Sequence, residues 1–521
     1  MRELTISLLT CIFTFSGGLY GAAAVIPFEI NAGFAINNPI DQAVLDSLTE
    51  HQIAPANLCS DAVFVRRVYF DLIGTLPTAQ EVRKFLGDKR LDKRTKLVDT
   101  LLARDEFAAY WTLKWCDVLR VKAEYPVNLW PNAVQAYHRW IFESVRDNKP
   151  YDEFARELLT ASGSNFRVPP VNFYRAIQGR KPADIADAAA LTFMGTRLKI
   201  WPQKSRQDME TFFSRLAYKS TAEWKEEIVY PDPAQTEPLE AVFPDGTKIK
   251  IAPDDDPRKV FADWLIQPDN PWFARAMANR AWSWLMGRGI IHEPDDIRPD
   301  NPPANPALLK YLEAQLVQSD WNIRHLFKLI CTSRTYQQSS IPQSDDPKTQ
   351  ALFACYLPRQ MDAEVLIDAL CYLGGTEVKY SSAIPEPFTF IPDEHRTIEL
   401  ADGSITSQFL EMFGRPARDT GLESERNSHP TDVQRLFMLN SSDVRKKITQ
   451  SPLLRKIFNT GKGKPREMIA SLYITILSRY PTPQEYQTIE KHFASRRNRT
   501  GEAAEDLTWA LLNSREFLFR H

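Results

Sequence analysis

Val134-Gln135-Ala136-Tyr137-His138-Arg139-Trp140-Ile141-Phe142-Glu143-Ser144-Val145 places apolar residues at 134, 137, 141, 142 and 145 and turns Arg139, Glu143 and the following Arg146 the other way. That spacing follows the 3.6-residue turn of a helix and not the two-residue alternation of a strand. His138 shares the apolar face and therefore reads as a core histidine rather than a ligand. Residues 321–330 repeat the pattern, with Ile323, Leu326, Phe327 and Ile330 inward and His325 beside Arg324 and Lys328 toward solvent. Alternation appears around 241–251, where Asp245-Gly246 marks a hairpin turn between Pro238 and Pro253, close to the run Asp254-Asp255-Asp256. The expected fold class is all-α, a multi-helical two-region architecture with one small β-hairpin excursion.

The chain also repeats itself. Val68-Tyr69-Phe70-Asp71-Leu72-Ile73-Gly74-Thr75-Leu76-Pro77-Thr78-Ala79-Gln80-Glu81 matches Leu472-Tyr473-Ile474-Thr475-Ile476-Leu477-Ser478-Arg479-Tyr480-Pro481-Thr482-Pro483-Gln484-Glu485. In each copy a proline ends one helix and Thr-x-x-Glu opens the next as a capping box, the threonine accepting from a backbone N–H while the glutamate reaches back. Each copy later meets a similar helix end, Leu101-Leu102-Ala103-Arg104-Asp105-Glu106-Phe107 and Leu511-Leu512-Asn513-Ser514-Arg515-Glu516-Phe517. Two related helical modules are therefore expected to bracket the protein. Arg67 and Asp71, spaced i,i+4, are expected to form an ordinary helical ion pair.

At 521 residues the chain exceeds what one hydrophobic core commonly serves. The boundaries expected are a signal peptide over 1–24, an N-terminal helical domain over 33–225, a Pro-rich linker with the hairpin over 226–252, and a C-terminal helical domain over 253–521. Met1-Arg2-Glu3, an apolar run to Phe15 and Ala22-Ala23-Ala24 have the layout of a cleavable export signal. The protein is thus expected outside the cytoplasm, periplasmic or extracellular, with no membrane span after cleavage. Lys+Arg 64 against Asp+Glu 66 leaves no basic field to attract nucleic acid. Once Cys11 is removed, Cys59, Cys116, Cys331, Cys355 and Cys371 remain, and Cys116, Cys331 and Cys371 read as buried free thiols in apolar helical runs. No C-x-x-C or Cys-His pair stands at haem or zinc spacing, so no cofactor and no metal is expected.

From Phe64-Val65-Arg66-Arg67 through Pro77-Thr78, and again at 96–102, the chain resembles the planctomycete-type exported proteins that pair domain of unknown function 1549, PSCyt2-like, with domain of unknown function 1553, PSD-like. Asp263-Trp264-Leu265, Asp269-Asn270-Pro271, Asn279-Arg280, Gly287-Arg288-Gly289, Ser333-Arg334-Thr335-Tyr336, Leu357-Pro358-Arg359 and Phe413-Gly414-Arg415-Pro416 resemble the second of these. The resemblance implies an exported, mainly helical protein associated with cytochrome-c-like modules and with sulfatase-like partners. Two departures stand out. Relatives carry a Cys-x-x-Cys-His-x-His box where this chain continues from Arg197-Leu198 into Lys199-Ile200-Trp201-Pro202, and a Cys-x-Cys-Glu-Arg element where it has Leu422-Glu423-Ser424-Glu425-Arg426. Joint loss of both elements suggests that in relatives they serve one site.

The polar candidates are arginine-rich. Arg280, Arg288, Arg415, Arg418 and Arg426, with Glu425, form the expected anion-binding set, because guanidinium forks suit sulfate and carboxylate. Gly287, Gly289 and Gly414 beside them suggest loop-borne side chains converging, at least three of Arg280, Arg288, Arg415 and Arg426 together, near Glu425 in one groove. The competing expectation is that these arginines pair internally with Asp and Glu. His292-Glu293-Pro294-Asp295-Asp296 has its spacing broken by proline and is not expected to hold a metal, and Trp111, Trp115, Trp282 and Trp284 read as core. The functional expectation is a non-haem binding or scaffold component of extracellular polysaccharide processing, with an anionic glycan as ligand and a sulfatase-like exported protein as partner. The alternative is a glycan hydrolase using Glu423, Glu425 and His429. A third is an electron-transfer accessory whose partner supplies the haem.

Overall fold

The computed structural model describes residues 27–521 apart from Asn31, Asp393, 461–463 and 497–499. The signal peptide and its cut near Ala24 lie outside the described residues. Among the described residues twenty-three α-helices carry the architecture. The helix Pro131–Arg146 begins with proline at its first position, where the missing N–H is no loss, and buries Val134, Tyr137 and Ile141 along the stripe read from sequence. Burial pushes the His138 imidazole down to about 3. No helix among the described residues is long and apolar enough to cross a membrane.

Both repeats form. The helix Asp61–Ile73 ends on Gly74 at φ 58°, and Thr78 and Glu81 close a capping box on the helix Ala79–Gly87. The helix Pro465–Leu477 ends on Ser478 at φ 61°, and Thr482 and Glu485 do the same for the helix Pro483–Ser495. The two modules pack on each other: Arg66 donates to the carbonyls of Ile476 at 2.8 Å and Phe517 at 2.9 Å. Each module closes on a Glu-Arg-Glu cluster. Arg104 pairs with Glu81 at 2.8 Å and Glu106 at 2.5 Å, and Arg479 pairs with Glu485 at 2.7 Å and Glu516 at 2.6 Å. The arginine arrives from different positions, since Thr75 matches Arg479 and Ser514 matches Arg104.

The hairpin forms between Leu239–Val242 and Lys248–Ile251, with Leu239 opposite Ile251 and Val242 opposite Lys248. Two further small sheets accompany it. Gly163–Ser164, Glu227–Pro231 and Leu216–Ser220 make an antiparallel three-stranded sheet in that order, and Arg359–Gln360 pairs with Phe519–Arg520. The two-residue strands find partners far away in sequence, so no local alternation announces them, whereas Leu216–Ser220 and Glu227–Pro231 form a second hairpin where only one was expected.

One continuous cluster of buried apolar side chains runs from Ile40 to Phe517, where separate cores were expected. Its aromatic centre ties the halves together: Trp111 lies 4.3 Å from Phe327 and 5.2 Å from Trp284, ring centre to ring centre. Trp111, Trp115, Trp282 and Trp284 are all buried. Cys59, Cys116, Cys331, Cys355 and Cys371 are free and buried. Burial raises the Cys116 thiol to about 12, which makes it an inert small hydrophobe.

Candidate functional site

A cleft of about 510 Å3 opens where the two halves meet. Lys114 reaches it from the helix Asp105–Val118, Trp284 from Phe273–Met286, Arg359 and Arg520 from the short two-stranded sheet, and Glu423 and Arg426 from a 3-10 turn and the residue after it. Behind its walls the charges alternate. Asp71 accepts from Arg359 at 2.9 Å, Arg520 at 3.1 Å and the hydroxyls of Tyr336 and Tyr356 at 2.8 and 2.9 Å. Arg520 continues to Asp362 at 2.6 Å, which also takes the Tyr110 hydroxyl at 2.7 Å and Lys114 at 3.0 Å. Arg426 then grips Asp117 at 2.7 Å and Glu364 at 2.8 Å. Arg418 shares Asp117 at 2.9 Å, and Arg415 approaches Glu364 at 3.2 Å.

These linked pairs join six cations, Lys114, Arg359, Arg415, Arg418, Arg426 and Arg520, to four carboxylates, Asp71, Asp117, Asp362 and Glu364, and Glu423 at the cleft wall brings the acidic groups to five. The imbalance shows in the titrating groups. Burial, then the neighbouring Arg426, pushes the Lys114 ammonium down. Burial opposes ionisation of Glu364, yet the Arg426 guanidinium overrides it and holds that carboxyl at about 2. Asp362 is likewise held well below the usual range, Lys114 and Arg520 overcoming its burial. Glu423 goes the other way: burial raises its carboxyl, Lys114 opposing and Asp295 adding to the rise. Its Oε2 accepts from the Trp284 indole N–H at 3.0 Å.

Of the residues singled out in sequence, Arg426 lines the cleft, and so do Glu423 and His429. Arg415 and Arg418 sit beneath it, their side chains 1% and 0% exposed, with further donors on the carbonyls of Asp402, Ile405, Ala401 and Val121. Arg280 is buried one step further away, bonded to the carbonyls of Leu191 and Thr192 and to Asp295. Asp295 in turn accepts the Glu423 backbone N–H at 2.6 Å. Arg288 stands apart, half-buried and without an ion pair among the described residues. Glu425 turns from the arginines and caps the backbone N–H groups of Asp419 and Thr420. The expected convergence of three of Arg280, Arg288, Arg415 and Arg426 in one groove with Glu425 is thus not what the structure builds, because internal carboxylates and carbonyls claim Arg280 and Arg415. Gly414 serves closeness rather than aim: at φ 86° a Cβ there would lie 1.7 Å from the Asn427 carbonyl oxygen.

The sequence reading missed Lys114, Asp362 and Arg520. Leu357-Pro358-Arg359 reads in sequence only as a motif, and a lysine inside an amphipathic helix carries no sign of its partner. Among the described residues no group of three or more His, Cys, Asp or Glu is arranged to hold a metal ion.

The segments 195–202 and 422–426, where the resemblance sets cysteine elements, flank a single loop. On one side Gly195 accepts from Ile297 N at 2.9 Å and Arg197 pairs with Glu293 at 3.1 Å; on the other Glu423 is tied to Asp295. The turn Leu198–Ile200 leads into Trp201 and Pro202 with no thiol or imidazole, so the residues present there do not fit covalently held haem.

Residues 39–218 match the PSCyt2 family model, a protein of unknown function (DUF1549), and residues 257–493 match PSD1, a protein of unknown function (DUF1553). No curated protein and no solved structure matches the chain. With both matches present in that order and together spanning most of its length, the chain belongs to the proteins that join a PSCyt2 region to a PSD1 region.

Proposed function

We propose that the protein is an exported, non-haem binding component of extracellular polysaccharide processing, and that the cleft takes an anionic group, sulfate or carboxylate, of a glycan. The observation that carries this is the surplus of cations over carboxylates around Lys114 and Arg426, both 9% exposed at the cleft wall. An anion entering there restores the balance and relieves the pressure on the Lys114 ammonium. A sulfatase-like exported protein is the partner that this ligand chemistry suits.

The test is a calorimetric titration of sulfated and uronic-acid oligosaccharides against wild type and Lys114→Gln at two salt concentrations. The expected result is binding that weakens with salt and is roughly tenfold weaker in the variant, the size of one lost charge-assisted hydrogen bond. Equal binding by both proteins, or none by wild type, would overturn the reading.

One observation favours a second reading, a glycan hydrolase. Glu423 carries a raised carboxyl and faces the same cleft as His429. A carboxyl shifted in this direction is what a general acid requires. Glu425 has no part in it, since its oxygens cap a loop. New reducing ends appearing with wild type and not with Glu423→Gln would establish this reading over the first.

A further inference from the structure

The segment 291–303 has two faces. His292, Glu293 and Pro294 line the cleft, while Ile291, Ile297 and Arg298 face a second and larger groove of about 610 Å3. Trp201 and Trp272 stand in its wall, both half-buried, with ring centres 6.1 Å apart and planes inclined by 38°. Behind them the row continues inward, Trp264 lying 5.7 Å from Trp272 and stacking on Phe243 at 5.1 Å. The outer rings therefore rest on a row of packed aromatic rings.

We infer that this groove is a carbohydrate-binding site for uncharged pyranose rings, which stack on the Trp201 and Trp272 faces while the arginine beside them bonds ring hydroxyls. Three observations select this ligand. First, the Trp201 indole N–H is already given to Thr196 Oγ1 at 3.1 Å, so the ring offers a flat apolar face and no donor. A groove that grips an extended peptide needs a ladder of backbone donors, and six of the residues in these walls are prolines, which have none, while the Trp272 indole N–H, without a partner among the described residues, is left for a ring hydroxyl. Second, Arg275 spends only Nε on Glu313, at 2.8 Å, and among the described residues its two Nη groups have no partner while the side chain is 41% exposed. A planar fork with two free donors suits a pair of adjacent hydroxyls. Third, no cation is left over. Arg275 is paired with Glu313 and Arg298 with both Asp296 and Asp300, two cations against three carboxylates, the reverse of the cationic surplus of the cleft. Flat apolar faces, hydroxyl-matching donors and the lack of any cationic surplus favour a neutral sugar over an anionic one. The inference does not require the anionic reading of the cleft.

Neutral hexaoses of gluco, xylo and galacto configuration, titrated calorimetrically into the full chain, test it. Wild type is expected to bind at least one, and Trp201→Ala to weaken that binding by about tenfold, the scale of one aromatic contact. Trp201→Phe, which keeps a flat face, should recover most of the loss. Arg275→Ala, at an exposed position, gives a second variant should Trp201→Ala fold poorly, and its binding should fall severalfold. Lys114→Gln should leave the neutral sugar unaffected, while inorganic sulfate titrated into Trp201→Ala should bind as it does to wild type. Failure of the cleft reading thus shows in the sulfate titration alone. No binding of any of the three hexaoses by wild type, or binding indifferent to both Trp201→Ala and Arg275→Ala, would overturn the inference, as would a proline-rich peptide that displaces the sugar and depends more strongly on Trp201.

Discussion

Arg67 and Asp71, one turn apart on the helix Asp61–Ile73, do not pair with each other. Arg67 donates to the carbonyls of Tyr336, Gln338 and His521, while Asp71 collects Arg359, Arg520 and two tyrosine hydroxyls. The i,i+4 rule describes exposed helix faces, where the nearest opposite charge is on the same helix. This helix is buried on every side from Val63 to Ile73, so each charge meets a different neighbour first.

Asp71→Asn should therefore cost far more than a surface pair would. It removes the one negative charge between Arg359 and Arg520 and leaves both guanidinium groups facing a buried amide. Breaking a buried pair in this way typically costs about 3–5 kcal/mol. A clearly lowered midpoint of thermal unfolding is expected, and a midpoint equal to wild type would show that solvent reaches this helix.

The two Glu-Arg-Glu clusters make an exchange possible. In the first module Arg104 comes from the end of a helix, and in the second Arg479 follows the left-handed Ser478. Arg104→Ser should destabilise by roughly 1 kcal/mol, as expected for a partly exposed network, and adding Thr75→Arg should return part of that loss by copying the second module. Melting curves of the single and double variants decide it. If Thr75→Arg lowers stability equally with and without Arg104, the modules share a sequence pattern but not a site.

Much of this was legible in sequence. The helical stripe at 134–145, the hairpin at Asp245-Gly246 and both capping boxes are local signals, and the local backbone obeys them. The site was legible only in part. Arg426, Glu423 and His429 were named in advance, but what surrounds them comes from three remote places: Lys114, Asp362 and Arg520. Arg280 and Arg415 drew attention as loop arginines near glycine, yet a sequence does not say whether a guanidinium finds a carboxylate inside the fold first. Asp295 and Glu364 do so here.

The five buried thiols lead to a simple outcome. Cys59, Cys116, Cys331, Cys355 and Cys371 are unpaired, and burial raises the thiols of Cys116, Cys331, Cys355 and Cys371 above the ordinary range. Alkylation of the native protein, read by peptide mass, should leave all five unmodified over a time in which denatured protein reacts at each. A disulfide between any two, or rapid labelling of the native protein, would contradict this packing.

Acid should loosen the cleft. Glu364 is held at about 2 in the folded protein against an ordinary value of 4.5, because Arg426 outweighs its burial. The fold therefore prefers the ionised form. Its contribution is complete above about 4.5 and disappears as the pH falls toward about 2, with Asp362 adding in the same direction. Glu423 runs opposite: its carboxyl is raised, so its contribution is complete below its ordinary value and fades as the pH climbs through the raised one. Glu364→Gln removes only the first of these. The variant should melt well below wild type near neutral pH, where Arg426 has lost one of its carboxylates, and the gap between the two melting curves should narrow steadily as the pH drops from 4.5 toward 2. A gap that stays constant over that range would mean that Glu364 does not titrate with the fold, and that Asp117 alone holds Arg426 in place.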